Sequence, residues 1–178
     1  MSEPRDRSPV EIRTARLRLR EPEPEDVDPL AAMYADPEVM RFIGGGGPLD
    51  RAAARAALER SASSFRTDGY GIWSVVATGE GDAMIGRAGL MEWDIEGGRE
   101  TEIVFLLARD RWGRGLATEA ASAVRDFAAG RLRRSRLICL IYPDNERSIA
   151  VARKLGMSFE RDVEMFGAML SMFSLESA

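Results

Sequence analysis

The chain has 178 residues, 45% of them hydrophobic, with 25 basic and 29 acidic side chains and a formal net charge of −4, which suits one globular domain of mixed helix and strand with a substantial core. It contains no histidine, which excludes a histidine base, a histidine metal ligand and a serine–histidine–aspartate triad, and leaves acid–base chemistry to carboxylates, hydroxyls, tyrosine or Lys154. The acidic balance argues against a nucleic-acid partner and suits a cationic one better.

Residues 1–9 read as a disordered tail without the apolar block of a signal peptide, and no apolar run approaches the roughly 20 residues that cross a bilayer. These features predict a cytoplasmic protein with no membrane partner, built as a single domain over residues 10–178. Leu17 and Leu19 alternate with Arg16, Arg18 and Arg20, the period of a half-buried strand. From 24 to about 36, Val27, Leu30, Ala31 and Tyr34 follow helical spacing, with Glu25 and Asp26 in the first turn where the helix dipole favours anions. Phe42 and Ile43 precede Gly44, Gly45, Gly46 and Gly47, a loop that reads either as a linker or as a lip over a binding site.

An alanine-rich stretch over 49–65 predicts the next helix. Strand patterns at 72–77, 83–93 and 100–108 follow, separated by Gly79 with Gly81 and by Gly97 with Gly98, so they should pair consecutively and antiparallel. A helix over 116–129, a buried strand over 137–142, a helix over 145–155 and two terminal strands complete the order. A helix crossing between strands implies a parallel pair, so the sheet should be mixed and the fold class α/β (α+β). The single cysteine, Cys139, sits in an apolar run and reads as a buried structural thiol rather than an acyl-carrying nucleophile. Trp73 and Trp93 lie on strands, as core or as pocket wall.

The run Trp112, Gly113, Arg114, Gly115, Leu116, Ala117 joins the third of those strands to a helix. A helix start exposes backbone N–H groups that have no intrahelical partner, and glycines let an anion approach them. Arg109, Arg111 and Arg114 stand nearby as cationic donors. No Lys-Ser or Lys-Thr follows the glycines, which excludes a Walker phosphate loop, and Thr118 at the third-glycine position excludes a good dinucleotide fingerprint.

The stretch Glu102, Ile103, Val104, Phe105, Leu106, Leu107 followed by Trp112 to Ala120 resembles the acyl-CoA motif of the Gcn5-related N-acetyltransferase (GNAT) superfamily, and more narrowly its ribosomal-protein-alanine acetyltransferase-like branch. Further stretches carry the resemblance: Thr14 to Arg20, Asp36 to Phe42, Asn145 to Ser148, and Lys154 to Met157. It implies a mostly antiparallel sheet with flanking helices, whose central parallel pair splays to admit a pantetheine arm. Main-chain groups at Phe105, Leu106 and Leu107 would bind that arm, while amides of Gly113, Arg114, Gly115, Leu116 and Ala117, behind Trp112, would hold pyrophosphate. Acetyl-CoA is the implied co-substrate, with no metal. The acceptor would be a primary amine, on a small molecule or a protein N-terminus, and a homodimer is an option.

A protonated amine cannot attack a thioester, so a base or a water chain must take its proton. Glu102 is the best candidate, because it opens an otherwise apolar strand and matches the acidic position that relatives use through water; the competing reading is an exposed strand-end carboxylate. Glu92, Glu100 and Asp94 are the alternatives. Asn145 and Ser148 share a face at a helix start, where Asn145 could simply cap. By resemblance Asn145 contacts the cofactor arm and Ser148 the sulfur, so that Ser148 would protonate the departing thiolate; the tyrosine many relatives use for this is Ala152 here. Glu119 reads as a partner for open helix amides, and Arg131, Arg133, Arg134 and Arg136 as a solvated turn. The expected activity is direct N-acetyl transfer, the alternative a non-catalytic acyl-CoA-binding regulatory module.

Overall fold

The alternating and β-branched runs build one eight-stranded sheet, seen in a computed structural model that describes residues 10–176; the expected tail over 1–9 lies outside the described residues. In chain order the elements are β1 (Ile12–Arg13), β2 (Leu17–Arg20), α1 (Val27–Ala35), α2 (Pro37–Met40), α3 (Arg51–Asp68), β3 (Ile72–Ala77), β4 (Met84–Ile95) and β5 (Gly98–Leu107). Then come α4 (Leu116–Gly130), β6 (Arg136–Ile141), α5 (Glu146–Lys154), β7 (Ser158–Met165) and β8 (Ala168–Glu176). The spatial order is β1-β2-β3-β4-β5-β6-β8-β7. All pairs are antiparallel except β5 with β6, which meet in parallel at the single partner pair Glu102 and Ile138. The mixed, mostly antiparallel sheet matches the expected fold class, and the strands and long helices stand within about three residues of their predicted limits.

One main core lies between the sheet and α4, whose buried Leu116, Ala120, Ala121, Val124 and Ala128 are mostly small and let the helix sit close. Trp73, fully buried there, donates its indole N–H to Val10 O at 2.8 Å. A second core joins α1, α2 and α3 to the opposite face. Between β4 and β5 the chains run so close at Gly86 that a Cβ there would stand 2.3 Å from Leu107 Cδ2 and 2.4 Å from Leu106 O.

Four expectations need correction. Arg20 does not sit on a solvated face: it is buried and forms two bonds to Asp26, at 2.7 and 2.8 Å, and Ser74 also donates to that carboxylate. Asp26 keeps its expected place in the first turn, where its Oδ2 accepts from Glu23 N in a capping box, and anchors the sheet as well. The arginines after α4 form a solvated turn only in part, with Arg131 and Arg133 exposed. Arg134 donates to Tyr70 Oη and Glu92, and Arg136 pairs with Glu100, Glu160 and Glu176, tying four strands together. Glu119 serves the chain start rather than helix amides, accepting from Thr14 Oγ1, Arg16 N and Arg16 Nε. Finally, α2 was not expected, although Asp36, Pro37 and Glu38 carry its signal: the Asp36 side chain accepts from Glu38 N and proline occupies the first turn.

Candidate active site

After Glu102 and Ile138 the parallel strands no longer pair, and a cleft of about 560 Å³ opens beside the C-terminal end of β5. Its walls are β5, the turn into α4, the first turns of α5 and the segment after α2. Along a strand, main-chain groups point to alternate edges. Ala108 N donates to Ile85 O on the β4 side, whereas Ile103 O accepts from Cys139 Sγ and Leu107 O from Trp112 Nε1 on the other. Residues 103, 105 and 107 therefore turn their main chain toward β6, and the Phe105 amide and carbonyl face the gap.

Two helices begin at the mouth of this cleft. The cap of α4 is Gly115, whose φ of +74° few side chains tolerate, and no side chain caps the helix. Its first helical bond runs from Glu119 N to Gly115 O, so the amides of Leu116, Ala117 and Thr118 have no intrahelical acceptor. The turn is braced from behind: Arg16 Nη1 donates to Arg114 O at 2.9 Å while the same guanidinium pairs with Glu119. Burial would raise the Glu119 carboxyl, but bonds from Thr14 and Arg16 hold it below its usual value. At α5, Asn145 caps through Oδ1, accepting from Ser148 N at 3.2 Å. Arg147 reaches back across the mouth to stack on Trp112, 4.6 Å from the ring centroid.

Phe105, Leu106, Leu107, Trp112, Gly113, Gly115, Leu116, Ala117, Asn145 and Ser148 all line the cleft, as does Arg111, whose guanidinium pairs with Glu80. Arg114 does not: its side chain is exposed outside the wall. Ala152 is fully buried and turned away from the opening. Phe42 and Ile43 of the wall lead into the four-glycine loop, whose Gly44 O accepts from Tyr142 Oη at 2.9 Å. Val39, Phe42, Arg147 and Val151 in the wall were not singled out as site residues from sequence, and Lys154 only as one of the groups left for acid–base chemistry.

Glu102 sits at the root of the splay and is only 8% exposed, so the strand-end reading fails. Its Oε1 accepts from Leu140 N at 3.1 Å, taking an amide of β6 that no longer has a β5 partner, and its Oε2 accepts from Trp93 Nε1 at 2.6 Å. Burial without a cationic partner pushes the carboxyl up to about 7, against the pull of these two donors. The alternative carboxylates are engaged elsewhere: Glu92 with Tyr70, Thr101 and Arg134, Glu100 with Arg136. Asp94 is exposed. Cys139 is buried, its thiol pushed well up by burial and by the nearby Glu102 charge, so it stays protonated and structural. Among the described residues no cluster of His, Cys, Asp or Glu could hold a metal, and no helix is long and apolar enough to cross a membrane.

A family model described as an acetyltransferase (GNAT) domain matches residues 16–158. An uncharacterized N-acetyltransferase, p20, of Bacillus licheniformis is 32% identical over 149 residues, covering 84% of this chain and 82% of that protein. An acetyltransferase from Agrobacterium tumefaciens str. C58 has a similar structure, with a TM-score of 0.80 and 27% identity over 99% of this chain and 100% of the other. RimL, a ribosomal L7/L12 alpha-N-protein acetyltransferase solved in complex with coenzyme A, gives a TM-score of 0.77 at 17% identity over 94% and 98% of the two chains, a likeness of fold.

Proposed function

The chain belongs to the GNAT acetyltransferase family and is an acyl-CoA-dependent acetyltransferase, and from that premise we propose that it moves acetyl from acetyl-CoA directly onto a primary amine, of a small molecule or a protein N-terminus. The observation that carries this reading is the splay: β5 and β6 pair once and then no longer pair, beside a cleft that two helix starts face. The residues suit the co-substrate, because the uncapped α4 start offers free amides to an anion and Phe105 offers an amide and a carbonyl to an extended arm. Acetyl-CoA supplies the thioester and its leaving thiol. A cytoplasmic location follows from the acetyl-CoA pool on which the reaction draws.

In this mechanism the Phe105 or Leu107 amide stabilises the carbonyl oxygen as negative charge develops on it. Glu102 is the general base. Three residues of strand separate it from Phe105, about 10 Å, so it takes the amine proton through water rather than by contact. A carboxyl near 7 is matched to that task at neutral pH. Ser148, in the cleft wall at the start of α5, gives its hydroxyl proton to the departing thiolate. No residue is acylated: Cys139 is buried and protonated.

The test is thiol release from acetyl-CoA with a panel of amines and N-terminal peptides. Turnover on any of them supports the proposal. Tight CoA binding with no turnover on all of them would identify a binding module instead.

A further inference from the structure

The three tryptophans use their indole N–H groups differently. Trp73 donates to Val10 O and Trp112 to Leu107 O, main-chain carbonyls that these bonds tie down. Trp93 donates instead to a side chain, Glu102 Oε2, at 2.6 Å. Met91 is the residue directly across from Glu102 on β4, so the indole reaches the carboxylate from the diagonal position two residues along the same face. Its ring is half-buried over a small apolar core, beside Leu140, Tyr142 and Met165. The Phe166 ring meets it edge-on, centroids 5.2 Å apart at 68°. Phe166 keeps this place at a φ of +57°, a strained conformation for a bulky residue. The indole is thus held on one side by an aromatic ring and on the other by the carboxylate.

No cation competes with that bond among the described residues. On this side of the sheet Arg136 of β6 stands among Glu100 of β5, Glu160 of β7 and Glu176 of β8, a group with an excess of negative charge, and Arg161 of β7 pairs with Glu96. Asp94 on β4 is exposed, as are Glu38 and Arg41 in the cleft wall. Tyr142 gives its hydroxyl proton to Gly44 O, and the Cys139 thiol stays protonated. Burial pushes the Glu102 carboxyl up, and the N–H groups of Trp93 and Leu140 pull it back, to about 7. The Leu140 donor is main chain, which leaves Trp93 as the side chain that acts on Glu102.

We infer that Trp93 is the positioning residue for Glu102: its N–H holds Oε2 from the β4 side, fixes the carboxylate plane against Leu140 N, and leaves the remaining lone pairs to the water that carries the amine proton. The kind of donor matters. A lysine or arginine in its place would form an ion pair and hold the carboxylate ionised well below neutrality, where it is a weak base. An apolar residue would leave Oε2 without a donor. An indole donates, never accepts and carries no charge. This role rests on the proposed amine transfer with Glu102 as base.

The experiment follows the carboxyl and the reaction separately, in the wild type, in Trp93→Phe and in Trp93→benzothienylalanine, an isostere of the indole that lacks the N–H. Glu102 is titrated by NMR of protein labelled at its glutamate carboxyl carbons, the signal being assigned by its loss in Glu102→Gln. The pH profile of kcat/KM is measured with the amine turned over fastest among phenethylamine, ethanolamine, putrescine and kanamycin. Loss of the donor disfavours the charged form, so in both variants the NMR titration and the rising kinetic limb should move up together by about one pH unit, the scale of a hydrogen bond to a charged group. Below the limb kcat/KM should fall about ten-fold, with acetyl-CoA KM unchanged. A titration left at the wild-type position in the isostere, or a lowered Tm without that shift, overturns the role of Trp93 and leaves Glu102 as base. A titration that moves while the kinetic limb stays overturns Glu102 as base, and absence of turnover on every amine with CoA still bound overturns amine transfer; either result takes this inference with it.

Discussion

The two sides of the splay are built from different material. The side proposed to hold the cofactor is main chain: open amides of α4, glycines at positive φ and the Phe105 peptide groups, braced from behind by Arg16 and Glu119. The side proposed to take the acceptor is side chain: one carboxylate, Glu102, accepting from Trp93 Nε1 and Leu140 N. Their electrostatics are opposed as well. Glu119 is held below its usual value and stabilises the fold when ionised, whereas Glu102 is held above and favours the fold when neutral. A main-chain site depends on conformation and tolerates changed side chains; a side-chain site depends on the residues themselves. One family can therefore keep a cofactor and change its acceptor.

Substitutions can break that contrast, and the largest effect belongs to the acceptor side. Glu102→Gln should lower kcat/KM for the amine by about 10²- to 10⁴-fold at neutral pH, the range of a lost general base, while calorimetric CoA affinity changes little. Next is Ser148→Ala, expected to lower kcat by about ten-fold or more with acetyl-CoA KM nearly unchanged, since only thiolate departure is affected; pre-steady-state and steady-state rates together check this. On the cofactor side, Gly115→Val forces a β-branched residue to φ near +74°. It should cost about 1–3 kcal/mol in thermal unfolding and weaken CoA by about ten-fold. Arg147→Ala, which removes an exposed cation from the Trp112 face, should raise acetyl-CoA KM only about two- to five-fold, the scale of a surface cation–π contact.

The same contrast explains what was legible in the sequence. The cofactor turn was readable because helix starts and glycines declare main-chain conformation locally, and Trp112 to Ala117 stand where spacing put them, with only the Arg114 side chain outside the wall. The strand series was readable for the same reason. The burial of Glu102 was not, because it depends on β6 and on Trp93, which is nine residues away in sequence and on another strand. Arg20, Arg134 and Arg136 misled for a related reason: a charge alternating with leucines looks solvated until its carboxylate partners arrive from distant elements. Phe166 gave no sign, since a Phe-Gly pair is a poor turn signal and only the backbone angles reveal its strain.

The central claim is that a buried, near-neutral Glu102 takes the amine proton. Its folded carboxyl is raised from 4.5 to about 7. It is thus protonated and inactive as a base below that value, and becomes competent as pH rises through it. The direct measurement is the pH dependence of kcat/KM for wild type and Glu102→Gln with one amine. The wild-type profile should rise through an apparent pKa of about 7, and the variant should lack that step and keep only the limb set by the amine. Wild-type rates for Glu102→Gln across the whole range would contradict the account.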